Sequence, residues 1–266
     1  MSKRLAKIFE DTRNKSRLVY IDDTRYLLNH TFIYPDGSYE IIPDSDMNIN
    51  HDMRIKVISG GSVSTAYNIK NSGRRVAMLN FADAKRPGGW VIEGAQTQEE
   101  NICRCTNLYE TLIQKKCLEG YYNVNMAFGI PDAENHYIEP YTDTLIYSEN
   151  VAIFKDDVNY NDLPVKYVDV ITCPAPCGGV NTENVLMRRM EKIIKVAYAH
   201  KVTHLILGAW GCGAFGQNPV VVANCFKSVL DKYPVFDSVI FAIRNCGLDR
   251  YNKTSNNYSI FKEILG

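Results

Sequence analysis

Residues 76–105 read VAMLNFADAKRPGGWVIEGAQTQEENICRC. The apolar run Val76–Phe81 predicts a buried strand, and the apolar spacing across Ile102–Leu118 predicts a helix. Between them stand Gly88, Gly89 and Trp90, a further Gly94, and the adjacent carboxylates Glu99 and Glu100. A glycine loop joining a strand to a helix is where α/β domains place ligands, because the carboxyl edge of the sheet meets a helix N-terminus there. The glycines let the backbone approach a ligand closely, and the carboxylates can act on it.

The same alternation extends outward along the chain. Arg54–Ile58, Val151–Phe154, Val165–Thr172, Val202–Leu207 and Val235–Ile243 read as strands. Val63–Lys70, Asn184–His200, Pro219–Leu230 and Ser255–Leu265 read as helices, with Pro219 suited to a first helical turn. Strands alternating with helices indicate an α/β fold with a mixed, largely parallel sheet covered on both faces. Residues 3–28 predict a helical extension, and residues 29–53 are turn-rich with a short β-like run at Tyr39–Ile42. Residues 119–150 read as a long surface connection. Its tyrosines (Tyr121, Tyr122, Tyr137, Tyr141 and Tyr147) suit loop packing, or alternatively stacking on a base. The expected division is an N-terminal helical extension, residues 1–53, packed on a core of residues 54–266.

With 266 residues at 45% hydrophobic composition, the chain can bury a sizeable core. Its 30 basic and 30 acidic residues balance, so no global basic surplus marks a sequence-specific nucleic-acid binder. The eight cysteines sit mostly in apolar runs such as CPAPC, which suits reduced thiols in an intracellular protein, cytoplasmic or nuclear. No secretory hydrophobic segment or membrane span is read in the sequence.

A second glycine-rich loop, Gly208–Gly216, also joins a strand to a helix. Together the two loops make a plausible clamp on a diphosphate, although each also reads as a tight turn. Neither is a Walker A loop nor a dinucleotide fingerprint. Phe215 reads as exposed at the loop tip, to stack on a ribose or base or to fold back over the helix. Glu99 and Glu100 read first as a charged first helical turn, and alternatively as a general acid/base and its neighbour. His204 in its apolar strand reads as a packed core residue. Cys103, Cys105, Cys173 and Cys177 lack zinc-site spacing.

The blocks LNFADAKRPGGW, EGAQTQEENICRCTNLY, YTDTLIYSENVAIFKDD, VDVITCPAPCGG and LILGAWGCGAFGQNP, in this order, resemble the microbial-type poly(ADP-ribose) glycohydrolases. That resemblance spans roughly residues 54–246. It implies a macrodomain-like three-layer α/β/α sandwich with a mixed central sheet, and hydrolysis of ribose–ribose bonds to release ADP-ribose; a cleft narrowed by Trp90 would direct this to chain ends. It implies Glu100 as the catalytic acid/base, Glu99 as the holder of ribose hydroxyls, and Asn80 beside the same ribose. Gly88 and Gly89, with the loop Gly211, Cys212, Gly213, Ala214 and Phe215, would cradle the diphosphate. Trp90 and Gln98 complete the expected substrate-binding set. The implied partners are poly(ADP-ribose) or an ADP-ribosylated protein, with ADP-ribose as product and no membrane. No cofactor and no metal are implied.

Two departures from the family pattern stand out. Trp90 replaces the third glycine of a triplet, and so either turns outward or narrows the cleft. Cys177 replaces an asparagine. Residues Ser59–Val63 are looser than the family's polar block, so no adenine contact is assigned there. Two rivals stand beside the enzyme reading: a macrodomain that binds ADP-ribose without turnover, and a mono-ADP-ribosyl hydrolase.

Overall fold

The computed structural model describes residues 1–38, 41–69, 73–128, 141–177, 182–245 and 256–266. The strands are β1 (Thr31–Tyr34), β2 (Arg54–Ser59), β3 (Val76–Phe81), β4 (Leu145–Lys155), β5 (Asp162–Cys173), β6 (His204–Leu207) and β7 (Ser238–Ile243). They form one sheet in the order β1-β4-β5-β3-β6-β7-β2. β5, β3, β6, β7 and β2 run parallel; β4 and β1 pair antiparallel at one edge. This is the mixed, largely parallel sheet that the alternation predicts.

The period-two pattern of each central strand feeds two cores. In β3, Ala77 and Leu79 join one core while Val76 and Met78 join the other. Leu205 and Leu207 of β6 likewise lie opposite Ile206. On the first face lie α8 (Thr182–Ala199), α9 (Pro219–Lys232) and α10 (Asn257–Leu265). On the second lie α1 (Lys3–Leu18), α2 (Ile21–Asn29), α3 (Ser62–Asn68), α4 (Gln98–Cys105) and α5 (Leu108–Leu112). Among the described residues, no helix is long and apolar enough to cross a membrane.

Several elements differ from expectation. The N-terminal helix breaks at Tyr20, whose φ of −108° and ψ of 40° leave the helical region. Residues 31–34, expected as part of a turn-rich stretch, add the edge strand β1. The expected helix 102–118 starts four residues earlier, at Gln98, and stops at Cys105. Thr106 is extended there and bridges Ile153, and Asn107 accepts from Ala152 N–H at 2.9 Å. The chain then continues in short turns, α5, α6 (Lys115–Cys117), a π-helical turn at Leu118–Tyr122, and α7 (Asn123–Ala127). β4 is longer than expected because Asn150, at φ 54°, sits in a register shift between Ser148 and Val151 and lets the strand pass its polar interruption.

Tyr121 and Tyr122 are buried and pack edge to face, and Tyr147 is buried too. Tyr137, Tyr39 and Cys246 lie outside the described residues. His204 is a buried strand residue, as expected. Cys103, Cys105, Cys117, Cys173, Cys212 and Cys225 are free, buried thiols.

Candidate active site

Gln98 fastens the first residue of α4 to the end of β3. Its Oε1 accepts from Phe81 N–H at 2.8 Å, and its Nε2 donates to Leu79 O at 2.7 Å and to Ser62 Oγ at 3.1 Å. Both ends of the amide are therefore spent on the scaffold. Thr97 and Glu100 form a capping box at the same helix start. Glu100 Oε2 accepts from Thr97 N–H at 2.9 Å and from the Thr97 hydroxyl, and Oε1 accepts from Trp90 N–H at 3.0 Å. A carboxylate oxygen accepts two hydrogen bonds, so Oε1 keeps one lone pair for the cleft it borders.

Glu99 is held differently. Its Oε1 accepts from Asn80 Nδ2 at 3.2 Å and its Oε2 from Asp83 N–H at 2.7 Å. Asn80 also donates to Thr172 Oγ1 at 3.3 Å, and its own Oδ1 is buried without a partner among the described residues. Glu99 is 1% exposed and Glu100 3%. Burial pushes the Glu99 carboxyl well above the usual glutamate range; the Asp83 and Asn80 hydrogen bonds oppose this, and the charge of Glu100 adds to the rise.

The glycines make room for these acids. Gly89 has φ +60°, and a Cβ there would run into Glu100 Oε1. Gly88, at φ +66°, would meet the Tyr109 ring at 2.7 Å. The Gly89 N–H is spent on Arg86 O at 3.0 Å, and Gly88 does not border the cleft. Trp90 stands at the rim, 43% exposed, with the Arg86 guanidinium 3.2 Å above its ring centroid.

The facing wall is the loop after β6. Trp210, fully buried, donates from Nε1 to Cys173 O at 3.1 Å, and Gln217 Nε2 donates to Pro176 O at 2.7 Å. These two bonds pin the loop to the end of β5. Asn218 caps α9 through Val220 N–H at 2.9 Å. Between the pins, the N–H groups of Gly211, Gly213, Ala214 and Phe215 have no acceptor among the described residues. Burial pushes the Cys212 thiol up to about 12, and its N–H is spent on Ala209 O at 3.1 Å. Phe215 is half-buried rather than exposed, 6.2 Å from the Tyr141 ring, because it packs back on the core while still lining the cleft.

The two walls enclose a cleft of 630 Å³ along the carboxyl edge of β3, β6, β7 and β2. Of the expected set, Gly89, Trp90, Gln98, Glu99, Glu100, Gly211, Gly213, Ala214 and Phe215 border it; Asn80, Gly88 and Cys212 stand behind them. Sequence reasoning did not single out Asp83, Trp210, Ser62, Asp157 or Arg244, which also line it. Only Trp210 carried a signal, a lone indole inside a glycine loop. Among the described residues, no group of three metal-ligating side chains occurs.

Known proteins match this chain in sequence and fold. The family described as microbial-type PARG, catalytic domain, matches residues 5–156. The poly(ADP-ribose) glycohydrolase of Thermomonospora curvata superposes with a TM-score of 0.83 at 25% identity, covering 99% of this chain and 100% of that one. The same enzyme bound to the inhibitor ADP-HPD gives 0.82 at 26% identity, over 98% and 99% of the two chains. The Deinococcus radiodurans enzyme in complex with ADP-ribose gives 0.77 at 30% identity, over 90% and 96%. No curated protein matches the sequence. With more than half of the chain inside the family match and a 30% identical relative spanned almost whole, the protein belongs to the microbial-type poly(ADP-ribose) glycohydrolase family.

Proposed function

We propose that this protein hydrolyses the ribose–ribose O-glycosidic bonds of poly(ADP-ribose) and releases ADP-ribose, with Glu100 as the acid/base. The observation that carries the reading is the pairing of two buried carboxylates with a facing loop that offers four unspent N–H groups across one cleft. The acids suit a glycosidic centre, and the N–H groups suit a diphosphate.

Glu100 protonates the leaving ribose oxygen as the bond from that oxygen to the anomeric carbon breaks. Positive charge then develops on the anomeric carbon and ring oxygen of the departing ADP-ribose unit. The Glu100 carboxylate next takes a proton from a water molecule, whose oxygen bonds to the anomeric carbon, and the acid is restored. Burial, with the charge of Glu100 beside it, raises the proton affinity of the Glu99 carboxyl. Glu99, fixed by Asn80 and Asp83, holds ribose hydroxyls. The rim formed by Trp90 and Arg86 favours a terminal unit over an internal one.

The test is incubation with labelled poly(ADP-ribose) and, separately, with mono-ADP-ribosylated protein. Release of free ADP-ribose from the polymer is expected. Retained ADP-ribose binding with no release from either substrate would reduce the protein to a binding module. Release from the mono-ADP-ribosylated protein alone would move the substrate to a single ADP-ribose unit.

A further inference from the structure

Trp90 stands where the acid meets the rim of the cleft. Its main-chain N–H donates to Glu100 Oε1 at 3.0 Å, so with an N–Cα bond of about 1.5 Å its Cα lies no more than about 4.5 Å from that oxygen. The side chain is turned outward all the same. Trp90 is 43% exposed and borders the cleft, whereas Val91 beside it is fully buried. The other tryptophan of the chain, Trp210, is fully buried as well.

The turn that carries the indole is fixed on several sides. Trp90 O accepts from Ala95 N–H at 3.1 Å, Gly88 O from Val91 N–H at 3.2 Å, and Val91 O from Gly94 N–H at 3.1 Å. Ser2 N–H, just ahead of α1, donates to Gly94 O at 3.0 Å and ties the turn to the N-terminal helix. The Arg86 guanidinium covers one face of the indole at 3.2 Å from the ring centroid, and no second ring or cation stacks on it among the described residues. The guanidinium has no hydrogen-bond acceptor among the described residues, the Glu93 carboxylate being 3.8 Å away. A flat aromatic surface and open cationic donors thus sit together beside the acid, on its solvent side.

We propose that Trp90 and Arg86 form the binding place for the leaving side of poly(ADP-ribose), with its adenine stacked on the indole. This rests on the function proposed above. The oxygen that Glu100 protonates is the 2′-oxygen of an adenosine, and the neighbouring carbon of the same ribose carries the adenine. The released unit fills the cleft behind the acid, so this adenine emerges at the mouth, where Trp90 stands. The diphosphate of the same adenosine then has the Arg86 guanidinium to meet it. An amino-acid leaving group carries neither base nor diphosphate. The rim therefore ties turnover to a nucleotide leaving group, and Trp90 is its specificity residue.

The test is steady-state turnover of labelled poly(ADP-ribose) by the whole protein, beside Trp90→Ala and Trp90→Phe. In Trp90→Ala, kcat/KM is expected to fall at least about fivefold, the low end for a base stacked on an aromatic ring. Trp90→Phe keeps a ring and is expected to recover most of that loss. An unchanged kcat/KM in folded Trp90→Ala would overturn the proposal, and so would equal losses in the two variants. Tryptophan fluorescence reads the same contact with Trp90 in place. In Glu100→Ala, which leaves the polymer intact, poly(ADP-ribose) is expected to quench the exposed Trp90 more than ADP-ribose does. Equal quenching at saturation would overturn the proposal even where Trp90→Ala does not fold. Failure of the wild type to hydrolyse the polymer would overturn the functional reading, and the fluorescence comparison would still decide this one.

Discussion

The two walls of the cleft are built on opposite plans. On the wall made by β3, its following loop and α4, almost every polar atom is spent: Gln98 on β3, Thr97 and Trp90 N–H on Glu100, Asn80 and Asp83 on Glu99. On the Gly208–Gly216 wall, two side-chain bonds pin the ends and four N–H groups between them have no acceptor among the described residues. The first plan fixes two carboxylates at defined points, as bond cleavage requires. The second leaves donors for an anion to complete, as binding requires. The glycines follow the same division. Gly89 is glycine because Glu100 lies against it, whereas Gly213 has nothing within 4 Å of an added Cβ.

Substitutions can break this division of labour. The largest effect is expected for Glu100→Ala: turnover of poly(ADP-ribose) falls about a hundredfold or more, the scale of general acid/base catalysis, while ADP-ribose affinity stays near wild type. Equal losses in both readouts would make Glu100 a binding residue. Gly89→Ala comes next. A left-handed φ costs an alanine about 1–2 kcal/mol, and the new methyl displaces Glu100. Both the melting temperature and turnover should therefore fall, as thermal denaturation and a release assay would show. An unchanged melting temperature would mean that the loop relaxes freely.

Phe215→Ala probes the other wall. ADP-ribose affinity should weaken by about 1 kcal/mol, roughly fivefold, for the lost aromatic face. Turnover at saturating polymer should be kept. A loss of saturated turnover with unchanged affinity would reverse the roles of the walls.

The smallest effect concerns pH. The folded Glu99 carboxyl binds its proton more tightly than an unfolded glutamate, whose pKa is about 4.5. As pH rises above 4.5, the unfolded state sheds this proton first, so the Glu99 contribution to stability is present at low pH and is lost as pH climbs through the folded value. Glu99→Gln removes that titration. Its melting temperature should therefore rise relative to wild type between pH 5 and pH 8; a constant offset would contradict the raised pKa.

Much of this was legible in the sequence where burial is two-sided or spacing is local. β3, β5 and β6 are apolar runs because both their faces are covered, and the glycine loops announce themselves by composition. β1 was not legible, since an edge strand of four residues, of which only Thr31 is buried, carries little pattern. The start of α4 was misplaced because its hydrophobic spacing begins only at Ile102, while Gln98–Asn101 are polar residues held by site-specific hydrogen bonds. Asp157 and Arg244 were invisible for a different reason. They reach the cleft from a hairpin tip and a strand end, and only the folded chain brings Asp157 to Gly61 and Arg244 to Asp157.

The most direct test of the two-wall account is a crystal structure of the protein with ADP-ribose. The account predicts diphosphate oxygens about 2.7–3.2 Å from N–H groups of the Gly211–Phe215 loop, with the terminal ribose between Glu99 and Glu100. A diphosphate seated on the Gly88–Gly89 turn, with the Gly211–Phe215 N–H groups still open, would contradict it.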